Sequence, residues 1–175
     1  MRIITGTLGG RQFDSPKSVK THPMSDKARG ALFNVLGDIG GLTVLDAFSG
    51  SGAIAFEAAS RGAKQVTAID SDRAAQWTIA QNIHNLGLRD KVTLIRASSN
   101  AWLETNPDTT FDIIVCDPPY TDLQPSLLVR LAERLAPDGI LVVSWPADKD
   151  LPEFAQLKLL DHKSYGDMSL AFYSW

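Results

Sequence analysis

The sequence predicts a doubly wound α/β fold around a mostly parallel sheet of seven strands. From Leu42 onwards, short apolar runs alternate with segments of helical periodicity, as expected when strands are joined by helical crossovers. A glycine-containing turn at 47–52 follows the first of these strands, and Asp-Pro-Pro-Tyr at 117–120 follows the fourth. Both features lie at strand ends, which is where ligands bind in open α/β sheets.

The alternation places each element of the main body in order. A helix capped by Ser25 or Asp26 is expected to run to Leu36. Five strands are then predicted at 42–46, 65–70, 91–95, 111–116 and 140–145, and helices at 53–60, 72–86, 100–103 and 123–135. Two final strands, 158–162 and 169–174, are expected to pair in antiparallel fashion at one edge of the sheet.

The first 24 residues are predicted to form a basic β-hairpin arm, because short apolar stretches alternate with glycines. Residues 1–30 carry six basic and two acidic residues, whereas the remainder carries 11 and 18. This asymmetry fits either a nucleic-acid partner or ordinary solvated charge. The candidate RNA contacts are the six basic residues of this region: Arg2, Arg11, Lys17, Lys20, Lys27 and Arg29.

Length and composition limit the other possibilities. A chain of 175 residues is expected to form one domain. The single cysteine, Cys116, allows no internal disulfide and is expected to be a buried strand residue. The sequence has no apolar run near the roughly 20 residues of a membrane span, and its N-terminus lacks signal-peptide features. Together these features favour the cytoplasm.

A nucleotide-type site is predicted around the first glycine turn. Asp46 ends a strand, Gly50 and Gly52 open a helix, and Asp70 ends the next strand, where a carboxylate can accept both hydroxyls of a ribose. The turn also fits the dinucleotide pattern G-x-G-x-x-A, which on its own is weak evidence. An acid at Asp46 would repel a pyrophosphate, however, and suits a cationic cofactor such as S-adenosylmethionine.

The end of the third strand offers a less specific candidate. Asn100 can hydrogen-bond an adenine ring, and it can equally serve as a helix N-cap. The two roles are compatible. The three histidines have no metal-ligand spacing, so we expect no metal.

The tetrapeptide at 117–120 fits amino-group methylation. Asp117 Oδ and the Pro118 carbonyl can accept the two hydrogens of an exocyclic amine, which turns its lone pair towards a sulfonium methyl group. Pro119 stiffens the turn, and Tyr120 is expected to stack on a flipped base. A plain Pro-Pro turn after a strand is the alternative, and the glycine turn earlier in the chain argues against it.

These motifs resemble the RsmD family of bacterial 16S ribosomal RNA (guanine-N2)-methyltransferases over nearly the whole chain. The resemblance rests on Gly9-Gly10-Arg11, Leu32-Phe33-Asn34, the 45–53 turn, Ser60-Arg61-Gly62-Ala63, Asp117-Pro118-Pro119-Tyr120 and Tyr165-Gly166-Asp167. It departs from the family at His22, Met24 and Gly30.

The resemblance implies a Rossmann-like class I methyltransferase that takes its methyl group from S-adenosylmethionine and acts on the small ribosomal subunit or its assembly intermediate, as a monomer. The expected cofactor-binding residues are Pro23, Met24, Asp46, Phe48, Ser49, Gly50, Gly52, Asp70, Ser71, Asn100, Ala101 and Asp117.

Three other functions fit parts of the pattern. Asp-Pro-Pro-Tyr does not by itself separate guanine N2 from adenine N6, so a methyltransferase acting on adenine of RNA or DNA is one alternative. A nicotinamide-dependent oxidoreductase on a Rossmann sheet is another, and an RNA-binding module without activity is the third.

Overall fold

The computed structural model of the protein describes residues 1–16 and 23–175, and it confirms the predicted α/β sheet. Helices and strands alternate along the chain. They are α1 (Asp26–Leu36), β1 (Thr43–Asp46), α2 (Ala53–Ser60), β2 (Gln65–Ile69), α3 (Arg73–Leu86), β3 (Val92–Ile95), α4 (Ser99–Thr105), β4 (Phe111–Cys116), α5 (Pro125–Ala132), β5 (Leu135–Pro146), β6 (Lys158–Tyr165) and β7 (Met168–Ser174).

The seven strands lie in the order β3-β2-β1-β4-β5-β7-β6. Strands β1 to β5 are parallel, whereas β7 runs antiparallel to β5 and β6. From β1 the next strands, β2 and β3, are added on one side of the sheet, whereas β4 and β5 are added on the other side. The strand order therefore reverses between β1 and β4. This reversal is the switch point at which doubly wound sheets bind ligands.

Each central strand is apolar on both faces, as expected for parallel strands covered by helices on two sides. In β4, Ile113 and Val115 pack in the core formed with α1, α2 and α3, whereas Ile114 and Cys116 pack in the core formed with α4 and α5. This alternation follows from the two-residue period of a strand. It makes the sheet a rigid platform for the loops at its carboxyl edge.

The predicted boundaries differ from the structure mainly around α5 and β5. The helix covers Pro125–Ala132 rather than 123–135, and β5 begins at Leu135 instead of 140. Leu135 pairs with Phe111, and the register with β4 then shifts before Ile140. The predicted turn at 137–139 is therefore an irregularity within the strand, where Asp138 has a φ of 62°. Pairing with β4 overrode the local turn signal.

The N-terminal segment lies against the body of the protein. It pairs with itself at one isolated antiparallel bridge between Arg2 and Gln12. The backbone N–H groups of Ile4 and Thr5 donate to the carboxylate of Glu57, at 2.7 and 3.1 Å. The segment is thus fastened to α2 along its first residues. The rest of the predicted arm, 17–22, lies outside the described residues.

Gly6 shows how close this contact is. Its φ is +87°, and a Cβ atom built on it would lie 2.0 Å from the Ser60 carbonyl oxygen. Glycine alone fits a left-handed backbone pressed against another backbone in this way. The glycines that predicted a hairpin therefore also permit its docking on α2.

Arg29 was predicted to contact RNA, and the structure shows that this was wrong. Its side chain is fully buried and lies 3.8 Å from Glu57. It also donates to the Arg2 carbonyl at 2.8 Å and to Asp26 Oδ1 at 2.9 Å. The guanidinium therefore joins α1, α2 and the N-terminal segment, and a basic residue in a basic stretch turned out to be a core residue.

In the described parts of the chain, we find no helix with both the length and the apolar character that crossing a membrane requires.

Candidate active site

Three carboxylates lie at the carboxyl edge of the sheet, around the switch point. Asp46 ends β1, and it pairs in register with Ala68 of β2 and with Val115 of β4. Asp70 and Asp117 follow directly after β2 and β4. Because β1 lies between the other two strands, the register brings all three acids to one place.

The turn after Asp46 is held by both neighbouring strands. The Ala47 N–H donates to the Val115 carbonyl at 3.0 Å, and the Ser49 N–H donates to the Ile69 carbonyl at 2.9 Å. The Ser49 hydroxyl donates to the Asp46 carbonyl at 3.0 Å. These bonds extend the sheet into the loop, so that the loop has a fixed shape before any ligand binds.

Asp46 is the least satisfied group of the site. It is fully buried, and among the described residues neither of its carboxylate oxygens has a hydrogen-bond partner. Burial raises its pKa to about 7, and the charge of Asp117 and, more weakly, that of Asp70 raise it further. A buried carboxylate of this kind is costly unless a cationic or hydrogen-bonding ligand completes it.

Asp70 is tied to the glycine turn. Its Oδ2 accepts the Gly50 N–H and its Oδ1 accepts the Asp72 N–H, both at 2.7 Å. Burial raises its pKa, against these backbone hydrogen bonds, which lower it. Each oxygen keeps a further acceptor position, so Asp70 can still bind a pair of hydroxyl groups.

Gly52 begins α2 with a φ of +80°. A Cβ atom at this position would lie 2.6 Å from the Phe56 ring. Both the backbone angle and the space therefore require glycine. The turn is closed by the Gly52 N–H, which donates to the Ser49 carbonyl at 2.7 Å.

Ser144, a residue that the sequence analysis missed, contacts Tyr120 and affects the pKa of Asp117. Ser144 is a fully buried polar residue of β5, and its hydroxyl lies 3.1 Å from the Tyr120 hydroxyl. Burial raises the pKa of Asp117 to about 6, and a hydrogen bond from Ser144 lowers it. The apolar run around Ser144 gave one signal only, a hydroxyl inside a strand that is otherwise apolar.

Tyr120 stands at the edge of an open cleft. Its ring is partly exposed, and burial raises the pKa of its hydroxyl to about 12. The cleft has a volume of about 660 Å³ and lies between Tyr120, residues 146–149 at the end of β5, and the turn of Gly166 and Asp167. Such a volume is in the range of ligand sites. Gly50 and Asp70 do not line this cleft.

The remaining predicted cofactor residues surround the turn less closely. Phe48 is half-buried against the core that contains α4 and α5. Pro23, Ser71 and Ala101 are exposed. Met24 is buried in the other core, and its carbonyl accepts a hydrogen bond from Arg29. Their contacts with a cofactor stay predictions.

Asn100 does not cap α4, contrary to one of its two predicted roles. The cap is Ser98, whose hydroxyl accepts the Ala101 N–H at 3.2 Å. The Asn100 side chain is exposed and bonds Glu104 and Arg130. Its contact with an adenine stays a prediction.

Three of the predicted RNA contacts lie at the surface. Arg2 is exposed and pairs with Asp26 at 3.1 Å, and Lys27 is exposed on α1. Arg11 is exposed and donates to the last carbonyls of α3, with 3.0 Å to that of Asn85. Lys17 and Lys20 lie outside the described residues.

Cys116 is buried at the end of β4, and burial raises the pKa of its thiol far above the ordinary value. It is therefore a packing residue rather than a nucleophile. Within residues 1–16 and 23–175, no three side chains of the metal-ligating types form a group that could hold a metal ion.

The sheet order, the glycine turn and the acids at the strand ends define the class of S-adenosylmethionine-dependent methyltransferases. The chain belongs to the family described as "Conserved hypothetical protein 95", whose model matches residues 1–174. Relatives named "Ribosomal RNA small subunit methyltransferase D" confirm the resemblance to the RsmD family.

Individual relatives agree with this assignment. The chain is 31% identical to "Ribosomal RNA small subunit methyltransferase D" of Haemophilus influenzae, over 99% of this chain and 93% of the relative. The solved structure of the Escherichia coli protein yhhF, described as a methyltransferase, superposes with a TM-score of 0.89 at 29% identity, over 99% of this chain and 96% of that one. These findings favour the methyltransferase over the oxidoreductase.

A further relative acts on a different base by its name. "tRNA1(Val) (adenine(37)-N6)-methyltransferase" of Shewanella loihica is 30% identical over 67% of this chain and 58% of the relative. The shared region therefore does not by itself identify the accepting amino group.

Proposed function

We propose that this protein transfers a methyl group from S-adenosylmethionine to the exocyclic N2 of a guanine in 16S ribosomal RNA. The observation that carries the proposal is the position of the tetrapeptide 117–120 at the end of β4, beside β1, whose last residue Asp46 has a carboxylate without a hydrogen-bond partner among the described residues. The name of the Haemophilus relative supports a ribosomal RNA of the small subunit as substrate.

The residues at the glycine turn fit the cofactor. S-adenosylmethionine carries two positive groups, an ammonium and a sulfonium, and when bound it supplies an electrophilic methyl group. Asp46, buried without a partner among the described residues, offers negative charge to such a ligand. Asp70 keeps acceptor positions for the ribose hydroxyls, and Gly50 holds its carboxylate in place. A cationic ligand would remove the cost of burying Asp46.

Asp117 and the Pro118 carbonyl would hold the amino group of the base. The two oxygens accept one N–H each, which fixes the nitrogen lone pair in one direction and offsets the positive charge that develops on nitrogen. With a pKa of about 6, Asp117 is mostly ionised at neutral pH. After transfer the nitrogen loses one proton, either to Asp117 or to water, and the amine is neutral again.

Tyr120 would form the platform for the flipped base. Its hydroxyl is held by Ser144, so the ring has a defined orientation at the mouth of the cleft. Stacking of a base on an aromatic ring contributes about 1–3 kcal/mol. Most of the rate acceleration then comes from alignment of the amine rather than from covalent catalysis.

The exposed basic residues of the N-terminal region support contact with the RNA backbone. Arg2, Arg11 and Lys27 remain at the surface, and Lys17 and Lys20 complete the predicted arm. We also propose that the protein acts as a monomer. We propose the small subunit or an assembly intermediate as substrate, and hence the cytoplasm as location.

Methylation of adenine N6 is the second candidate, since the relative from Shewanella loihica is named for that reaction. Asp117 and Pro118 would hold an adenine amine equally well. Both bases present an amino group with two hydrogens and lose one proton after methyl transfer. The proposed mechanism therefore does not distinguish guanine from adenine.

Mapping of methylated nucleosides tests the proposal. Small subunits lacking the modification are incubated with the protein and labelled S-adenosylmethionine, and the RNA is digested and analysed by mass spectrometry. We expect N2-methylguanosine at one position, and no product with Asp117→Ala, which should retain RNA binding. Label in N6-methyladenosine would establish the second candidate, and unchanged turnover by Asp117→Ala would refute the mechanism.

A further inference from the structure

The cleft beside Tyr120 has features that the proposed transfer step does not use. It is bounded by Tyr120 on one side and by the turn between β6 and β7 on the other. In that turn Gly166 has a φ of +65°, and the flanking residues Tyr165 and Met168 pair across the two strands. A two-residue turn with glycine first is a tight hairpin connection, so the position of Asp167 is well defined.

Asp167 is fastened to the end of β5 as well. Its carbonyl accepts the Ala147 N–H at 2.8 Å. Asp167 lines the cleft together with Tyr120. Its negative charge adds slightly to burial, the main cause of the raised pKa of the tyrosine hydroxyl. Among the described residues, the Asp167 carboxylate forms no ion pair of 4.0 Å or less. An acceptor with free capacity therefore stands beside the stacking platform.

The contacts proposed for Asp117 and Pro118 do not explain why guanine rather than adenine is methylated. Asp117 and Pro118 contact an amino group, which guanine, adenine and several other acceptors possess. Guanine differs from adenine at the neighbouring ring atom: N1 carries a hydrogen in guanine, whereas it is a bare acceptor in adenine. A carboxylate facing N1 would accept from guanine and repel adenine, and a site that hydrogen-bonds an N–H group of its substrate rejects analogues that lack this group.

We propose that Asp167 determines base specificity by accepting the N1–H of the flipped guanine while Asp117 and Pro118 hold its N2 amine. This inference rests on the proposed function, because it assigns the group that selects guanine at the same site. Lys149 lies in the same cleft and would offer a cation to the O6 acceptor of the guanine. Adenine has neither an N1–H nor an O6 for these two side chains.

The test changes the target base in the RNA as well as residues of the protein. Small-subunit RNA is prepared by ligation with guanine or with 2-aminopurine at the position methylated by the wild type. 2-Aminopurine keeps the N2 amine but has an unprotonated N1. We expect the wild type to prefer guanine by at least about 100-fold in kcat/KM. Asp167→Asn should lower this preference by roughly 10- to 100-fold, because an amide can donate to the bare N1.

Two matched variants locate the effect. Asp148→Asn removes an acid from the same cleft, and Asp161→Asn removes an exposed acid of β6. Neither should change the preference for guanine. S-adenosylmethionine affinity, measured by calorimetry, should be equal in all three variants and the wild type, which also shows that the variants are folded.

The outcomes separate the two proposals. If the wild type methylates no guanine, the proposed function fails and the assignment of Asp167 fails with it. If the wild type methylates guanine and Asp167→Asn keeps the full preference over 2-aminopurine, the role of Asp167 alone is refuted. A loss of preference in Asp148→Asn in place of Asp167→Asn would refute it as well.

Discussion

The buried arginine of α1 gives the sharpest test of the fold. Arg29→Met replaces the guanidinium with an uncharged side chain of similar length. It removes the 2.9 Å bond to Asp26 and two bonds to backbone carbonyls, and it takes away a cation 3.8 Å from the fully buried Glu57. Glu57 keeps Arg61 at 2.8 Å, as well as the N–H groups of the N-terminal segment.

Removing one partner of a buried ion pair costs about 3–5 kcal/mol. Because Arg61 still compensates part of the Glu57 charge, we expect the lower end, about 3 kcal/mol. For a chain of this length, that corresponds to a fall in Tm of roughly 6–12 °C. Thermal and urea unfolding followed by circular dichroism provide the measurement.

Lys27→Met is the matched control, since it removes a positive charge two residues away on the exposed side of α1. It should change stability by less than about 0.5 kcal/mol and weaken RNA binding. Arg29→Met should lower stability by about 3 kcal/mol. It should leave RNA binding unchanged when this is measured at 10 °C, where the variant remains folded. An unchanged Tm, together with a salt slope of RNA binding reduced by about one unit, would show that Arg29 is an RNA contact and refute its structural role.

Two further predictions concern the acids of the site. Because burial raises the pKa of Asp46 to about 7, ionising it lowers the stability of the cofactor-free protein as pH rises from about 4 to 7. Asp46→Asn should therefore stabilise the protein more at pH 8 than at pH 5, by roughly 1–3 kcal/mol in the free energy of unfolding. It should also abolish the rise of S-adenosylmethionine affinity with pH. A Tm at pH 8 equal to that of the wild type would contradict this. Ser144→Ala removes a bond that lowers the Asp117 pKa, so the acidic limb of the pH–rate profile should shift upwards and the rate at pH 6 should fall roughly tenfold per pKa unit. Tyr120→Phe, which leaves Ser144 beside Asp117, should not shift that limb, and a shift as large as that of Ser144→Ala would disprove the role of the serine.

The predictions that held are those that depend on local pattern. Strand periodicity in a parallel sheet is strong, because each buried strand must be apolar on both faces, and β4 was predicted with its observed bounds. Asp46 and Asp70 lie at one edge of the sheet, as expected of acids that end neighbouring parallel strands or follow them directly. Gly52 has the left-handed backbone expected of a glycine next to the start of a helix, and the cofactor-binding roles of all three residues stay predictions.

Contacts between distant segments were beyond the reach of such patterns. Arg29 looked like one of six equivalent cations, and only the docking of the N-terminal segment on α2 buried it beside Glu57. Ser144 lies 24 residues from Tyr120 along the chain, and its partner is set by the neighbouring positions of β4 and β5 in the sheet.

The sequence by itself determined the sheet, its order of elements and the carboxylates at its edge, since periodicity and glycine chemistry are local properties. The tertiary structure alone decided which charges are buried and which are exposed. Whether a charge is paired, orphaned or solvated depends on the segments packed against it, and these come from distant parts of the chain.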